Sequence, residues 1–265
     1  MPSPLTPLGQ ATLPSAALFS VRPPYTELER VRSLALLRRA TLPAGAILAL
    51  EVRGRPWEAG QLAQRIPELR RRFPAVPVVL YFRAPLGAEA LRLARRAGAL
   101  HARAVLMEGE PIVTALRRGL TRPLDLSRDV KEWLLVRGSA PPPRAMRLLG
   151  EIFERAPRSR RIRPLLQTMG CPPRTAHAWF AGHGLPSPGR WLGVAHGVHA
   201  VLRLQAEPDT SLFRVAIGCG YADHSALSRQ VLRLFGERPH AVRQRLGWEW
   251  LLDRWLTRMG VQRTP

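Results

Sequence analysis

Apolar residues recur along this chain in two periods, and the change from one to the other divides it. From about residue 25 to 123, compact apolar runs of strand length alternate with amphipathic stretches of helical length. Ala46 to Val52 (AILALEV), Val76 to Phe82 (VPVVLYF) and Arg103 to Met107 read as strands. Between and around them, Glu27 to Arg39, Trp57 to Arg72, Ala88 to Ala97 and Pro111 to Arg118 read as helices, with Leu62, Ile66 and Leu69 on one side of the second. Strands alternating with helices predict right-handed crossovers and a small parallel sheet covered by helices, an α/β unit. Ahead of it, residues 1–24 are proline-rich and weakly patterned, which predicts a flexible N-terminus with one short strand at Ala17 to Val21.

Beyond Asp125 the period is helical throughout. Asp125 to Arg137 carries Val130, Trp133 and Leu134; Arg144 to Arg155 carries Met146, Leu149 and Phe153. Between them Gly138 to Pro143 ends in three prolines, which cannot continue a helix and predict a semi-rigid spacer. The expected organisation is therefore an α/β unit over 25–137, a linker at 138–143, an all-α unit over 144–247 and a tryptophan-rich helical extension over 248–265. In that extension Trp248, Leu251 or Leu252, Trp255 and Met259 share a stripe, expected to dock on the unit's own core or to make a dimer contact.

The most informative stretch is Ser211 to Pro239. Val215 and Ala216 lie inward on a short helix, Gly220 falls where that helix must stop, and Asp223 is placed to cap the next. Leu227, Val231 and Leu234 then form one apolar stripe, with His224, Ser225, Ser228 and Arg229 largely off it. A short helix, a glycine turn and a second helix with polar and basic outward residues make a helix-turn-helix, whose second helix reads the major groove. Pro164 to Gly184 repeats the plan more weakly, with a helix ending near Gly170 and Pro172-Pro173 opening the next. Pro188 to Gln205, with Leu192, Ala195, Val198 and Leu202 inward and Ser187 as N-cap, is one long helix between them, about 27 Å at the α-helical rise.

Val215-Ala216, Cys219-Gly220-Tyr221, Asp223-His224-Ser225, Leu227-Ser228-Arg229, Leu234-Phe235-Gly236 and Pro239, together with the GLPSPGRWL segment ending in Trp191-Leu192, closely match the signature of AraC/XylS-type transcription regulators. The resemblance covers roughly Arg144 to Arg245. It implies two helix-turn-helix motifs on a central helix, with recognition helices at about 173–183 and 223–235 entering successive major grooves on one face of the duplex. Carried onto this sequence, it makes Arg174, Thr175, His177, His224, Ser225, Ser228 and Arg229 the base- or groove-contact candidates and Arg190 and Arg238 the phosphate-contact candidates. The first motif departs from the family where Ala176 and Ala178 replace larger residues, which predicts that it positions the backbone while the second specifies sequence.

The α/β half resembles a degenerate response-regulator receiver domain more faintly, through VPVVLYF and Ala97-Gly98-Ala99. Glu51 stands near the phosphoacceptor place, Tyr81 near the threonine place, and Met107 and Glu108 near the lysine place. A glutamate there is already anionic, so the expectation is a flavodoxin- or receiver-like unit that senses a signal or dimerises without phosphorylation.

Composition adjusts this picture modestly. The formal charge of +22 is almost entirely arginine, with Lys131 the single lysine, and divides evenly as +11 in residues 1–140 and +11 in 141–265. A polyanionic partner and an arginine-favouring coding bias both account for it. Arg158 to Arg163 (RSRRIR) reads either as a solvated loop or as a phosphate contact. Cys171 and Cys219 make neither a disulfide framework nor a zinc site. His196 and His199 stand three apart with no third ligand in evidence, so packing is the expected role and no metal or cofactor is expected. Nucleotide-binding glycine motifs are absent, as are a secretory signal and any membrane-length apolar run, which predicts a cytoplasmic protein that is not an enzyme. An alkyltransferase fused to an AraC-type module would need a reactive cysteine that the first half lacks. The leading expectation is a sequence-specific regulator of promoter DNA, with RNA polymerase, a second copy of the chain and an unidentified effector as further candidate partners; the alternative is an interaction or architectural factor with weakened DNA readout.

Overall fold

The computed structural model describes residues 16–32, 34, 37, 42–55, 57–85 and 87–261. The first half is built on a five-stranded sheet of β1 (Leu18–Val21), β2 (Glu29–Arg30), β3 (Ile47–Val52), β4 (Val78–Phe82) and β5 (Val105–Met107), in the order β2-β1-β3-β4-β5. Three helices interleave: α1 (Glu58–Arg72), α2 (Ala88–Arg95) and α3 (Ile112–Leu120). Strand β3 is buried along its whole length because both faces are covered. Its residues alternate: Leu48, Leu50 and Val52 pack with Leu62, Ile66 and Leu69 of α1, while Ile47 and Ala49 pack with Leu116 and Leu120 of α3.

The α/β expectation holds, and β3, β4 and β5 are parallel, joined by helical crossovers. The sheet as a whole is mixed rather than parallel, since β1 runs antiparallel to both β2 and β3. The connection from Val21 to Glu29 explains the first reversal: it is shorter than the dozen or so residues a parallel crossover needs. The expected helix at Glu27 to Arg39 gives way at Glu29–Arg30, which pairs with Phe19 and Ser20. The remainder of that stretch, like residues 1–15 of the proline-rich start, lies largely outside the described residues.

The second half is helical: α4 (Leu126–Val136), α5 (Pro143–Arg155), α6 (Ile162–Thr168), α7 (Pro173–Ala181), α8 (Pro188–Ala206), α9 (Leu212–Gly218), α10 (His224–Phe235), α11 (Pro239–Arg243) and α12 (Glu249–Arg258). Residues from all nine share one core. The stretch expected as a spacer is instead a tight connection. Gly138 leaves α4 with a φ of +91°, Pro142 caps α5 and Pro143 is its first residue, and α4 packs on α5. Helix α12 is likewise part of this core: Trp255 meets Trp191 edge to face at 4.7 Å, and Trp248 meets Trp133 at 6.0 Å.

The two halves are locked together by polar contacts at buried positions. The Tyr25 hydroxyl donates to the Gly45 carbonyl at 2.8 Å and accepts from the Leu246 N–H at 2.7 Å. Burial pushes that hydroxyl's pKa well above the ordinary phenol value. Trp133 Nε1–H donates to the Pro74 carbonyl, and Arg103, at the entry to β5, binds Asp129 of α4 and Glu249 of α12. Tyr25→Phe strands the Leu246 N–H and is expected to cost about 1–3 kcal/mol in urea unfolding of the whole chain. An unchanged midpoint would show that the hydroxyl does not hold this junction.

Candidate nucleic-acid interface

Two helix pairs in the second half are built alike and offset by about fifty residues. In the first, α6 stops at Gly170, whose φ is +60°, and the Cys171 N–H returns to the Leu166 carbonyl. In the second, α9 stops at Gly220, whose φ is +73°, and the Tyr221 N–H returns to the Ala216 carbonyl. A left-handed residue closed by that long-range backbone bond is the glycine helix stop, and a side chain at either glycine would be strained. Leu165, Leu166, Ala176 and Phe180 bury the first pair; Val215, Ala216, Leu227, Val231 and Phe235 bury the second.

The second pair is the better terminated. Asp223 Oδ1 accepts from the Ala226 N–H at 2.6 Å, and this bond holds the carboxyl below the ordinary aspartate range. The cap therefore persists through neutral and mildly acid solution and is lost as pH falls through that lowered value. Ser211 Oγ caps α9 through the Arg214 N–H. At its far end α10 stops at Gly236 in the left-handed region, and Glu237 beyond it binds Arg245 at 2.7 Å and Arg254 of α12 at 2.6 Å. Helix α7 has no side-chain cap and relies on Pro173 at its first position.

Between the pairs, α8 runs 19 residues, about 28 Å at the α-helical rise. It is covered nearly all round rather than on one stripe, because α5, α6, α7, α9, α10, α11 and α12 pack on it, as does α3 from the first half. Gln205 at its end is buried; its Nε2 donates to the Val242, Arg245 and Gly247 carbonyls and its Oε1 accepts from the Gly247 N–H, fixing the chain after α11. His196 and His199 are helix-packing residues. Their Nε2 atoms bond the Ser159 and Phe153 carbonyls, and burial lowers both imidazole pKa values. A Cβ at Gly197 would lie 2.6 Å from Leu234 Cδ1 and 3.2 Å from the Phe235 ring, so α10 seats directly on bare backbone. Gly197→Val is expected to push α10 off α8 and to lower stability by about 1–3 kcal/mol in a thermal melt. Retention of the wild-type melting curve would show that this close approach does not seat the helix.

His224 and Arg229 on α10 are exposed, and Ser225 and Ser228 are half-buried along the same helix. Ser228 Oγ donates to the His224 carbonyl, which leaves its lone pairs as acceptors. Arg229 forms no ion pair among the described residues, so its guanidinium is available to a partner. On α7, Arg174, Thr175 and His177 are exposed, while Ala176 is fully buried and Ala178 is an exposed methyl. The two groups thus sit on the second helices of two pairs held by one shared helix. Arg190 is exposed near the start of α8, with Nη1 3.9 Å from Met259 Sδ, and Arg238 is exposed at the cap of α11; both lie apart from these two helix faces in the chain.

Sequence reading undervalued two arginines. Arg160 stacks on Tyr221 at 4.8 Å and donates to the Cys219 carbonyl, tying the loop before α6 to the turn of the second pair. Burial pushes the Tyr221 hydroxyl up to about 12. Arg233 lies one turn beyond Arg229 on the exposed side of α10.

Two glycine-stopped helix pairs, each with a second helix offering exposed polar and cationic side chains, define a double helix-turn-helix unit. Residues 165–245 match the family model of a helix-turn-helix domain, which takes in both pairs and α11. The chain carries an AraC-type helix-turn-helix domain and is a DNA-binding transcription regulator. Comparison with curated proteins returned no match. No helix among the described residues is long and apolar enough to cross a membrane.

Glu51, the penultimate residue of β3, is a buried carboxylate of the sheet unit. It is 4% exposed and ion-paired with Arg53 and Arg83, both at 3.2 Å.

Proposed function

We propose that the chain is a sequence-specific regulator of promoter DNA that inserts α10 and α7 into successive major grooves on one face of the duplex. The carrying observation is the pair of matching helix-turn-helices on one rigid α8, whose length approaches the roughly 34 Å of one DNA turn. In this reading His224, Ser225, Ser228 and Arg229 read base edges, with Arg229 bidentate on a guanine. Arg174, Thr175 and His177 position α7 in the neighbouring groove and read little, since Ala178 offers only a methyl group. Arg190 and Arg238 contact phosphates. The protein acts in the cytoplasm, without catalysis, to bias RNA polymerase at the sites it binds.

The sheet unit, residues 16–120, supplies the signal without phosphorylation: the Glu51 carboxylate is already neutralised by two arginines. Sensing is favoured over simple dimerisation by a cavity of about 380 Å³ at the junction of the halves, bordered by His101, Arg103, Arg122, Glu132 and Trp248. A small ligand there would touch the β5 entry, the start of α4 and the start of α12 together. Helix α4 belongs with the DNA-binding unit in this division, since it is buried in that unit's core.

Selection of the full chain against a random 30-base-pair duplex library tests the reading. The expected product is an enriched site with two half-motifs about 10 base pairs apart, the motif facing α10 being the more sharply defined. A library that stays random after repeated rounds would leave an interaction factor with weakened readout as the better account.

A further inference from the structure

Between the two helix-turn-helices lies an open cleft of about 470 Å³. One wall is the loop into α6 and the helix's first turn, with Arg160, Arg161 and Arg163; the other is α10, with Gln230 and Arg233; the floor is the first half of α8, where His196 lines it beside Gly193. Among the described residues no carboxylate lines it. That absence is informative, because elsewhere the acidic side chains are largely committed to arginines: Glu51, Glu108, Asp129, Glu132, Glu237, Glu249 and Asp253 all form ion pairs with arginines. Arg161, Arg163 and Arg233 are exposed and form no ion pair among the described residues. Arg160 is fixed by Tyr221 and the Cys219 carbonyl, so the loop is held against the second motif rather than free in solution.

We propose that this cleft is a phosphate clamp for the DNA backbone that passes between the two contacted grooves. The inference rests on the reading of α7 and α10 as recognition helices. With one helix in each of two successive major grooves, the duplex between them presents a minor groove edged by phosphates. Arg233 continues the exposed face of α10 from Arg229, so a base-reading face leads directly into the cleft wall. Guanidinium groups without carboxylate partners keep their full charge for such phosphates and bind them bidentately. The clamp carries no sequence information; it supplies affinity and fixes register.

The test uses the full chain and a triple variant, Arg161→Gln, Arg163→Gln and Arg233→Gln, which leaves the structural Arg160 in place. A control variant carries the same change at Arg92 and Arg95 of α2 and at its C-cap Arg96. Affinity is titrated against salt on a library-selected duplex and on random-sequence duplex. The expected result is that the clamp variant keeps its melting temperature and its base preferences. It loses the same factor of affinity on both duplexes, at least about tenfold, and its log–log salt slope falls by about 2–3, while the control slope is unchanged. Wild-type slope and affinity in the clamp variant, with selective binding intact, would overturn the clamp and leave the recognition helices standing. Loss of base preference in that variant would make these arginines base readers and overturn it too. Millimolar inorganic phosphate binding that the variant loses while keeping DNA affinity would mark a small-anion site instead. A wild-type chain that selects no sequence from the library would overturn the underlying reading together with the clamp.

Discussion

Arg229→Ala is expected to weaken binding to the selected duplex by about 1–3 kcal/mol, roughly 5- to 150-fold, and to relax the preference at one base pair of the half-site that faces α10. Arg229 projects from the exposed side of α10, one turn beyond Ser225, on a helix fixed at its start by Asp223 and at its end by Gly236. Among the described residues it forms no ion pair, so no salt bridge there must break before it meets a guanine. Arg229→Lys retains the charge and loses the fork; it should restore much of the non-specific affinity and little of the discrimination. The outcome is read by titrating wild type and both variants on the selected duplex and on its single-base substitutions. Unchanged affinity and an unchanged substitution profile in Arg229→Ala would remove this residue from the readout.

Arg103→Ala is expected to be the most destabilising single change at the junction, at about 3–5 kcal/mol in urea unfolding of the whole chain. The Arg103 side chain is 12% exposed. Its Nη1 lies 2.6 Å from Asp129 and its Nε 2.8 Å from Glu249, which is itself 4% exposed, and its guanidinium stacks on Trp248 at 5.0 Å. Burial alone would lower its pKa, but the two carboxylates more than offset that, and the group is held firmly charged. Truncation leaves the Glu249 carboxylate buried without its cation, and this stranded charge carries most of the loss. Adding Glu249→Gln to Arg103→Ala should recover part of it. A single variant as stable as wild type, or a double variant no better than the single, would show that the two halves are joined by packing alone.

The second helix-turn-helix was legible in the sequence because its determinants are local. An inward pair, a glycine stop, an aspartate cap and an apolar stripe all lie within Ser211 to Pro239; the pair, the stop and the cap occupy the expected places, while the stripe ends on buried Phe235, with Leu234 half-buried beside it. The central helix was legible in length but not in environment: its apolar residues reveal one inward side, whereas eight packed helices that come from elsewhere in the chain bury nearly all of it. The strand runs at β3, β4 and β5 showed the parallel half of the sheet. The antiparallel edge was missed because two-residue β2 has no periodicity of its own and exists only through its pairing with β1. The proline segment illustrates the same limit. Three prolines forbid a continuing helix, but whether they extend or turn the chain depends on Trp133, Leu149 and Trp191 finding a common core. Arg103 and Tyr25 were invisible as junction residues since their partners, Glu249 and Leu246, lie 146 and 221 positions away. The basic cleft was half visible: the RSRRIR run stands out, but its convergence with Arg233 is a product of the packing of α10 on α8.

Hydroxyl-radical footprinting of the full chain on its selected duplex tests most directly whether this protein reads DNA with two heads on one rod. The expected pattern is two protected patches on one face of the helix, centred about 10–10.5 base pairs apart, with the backbone between them also shielded. A single protected patch, or two patches on opposite faces, would contradict it.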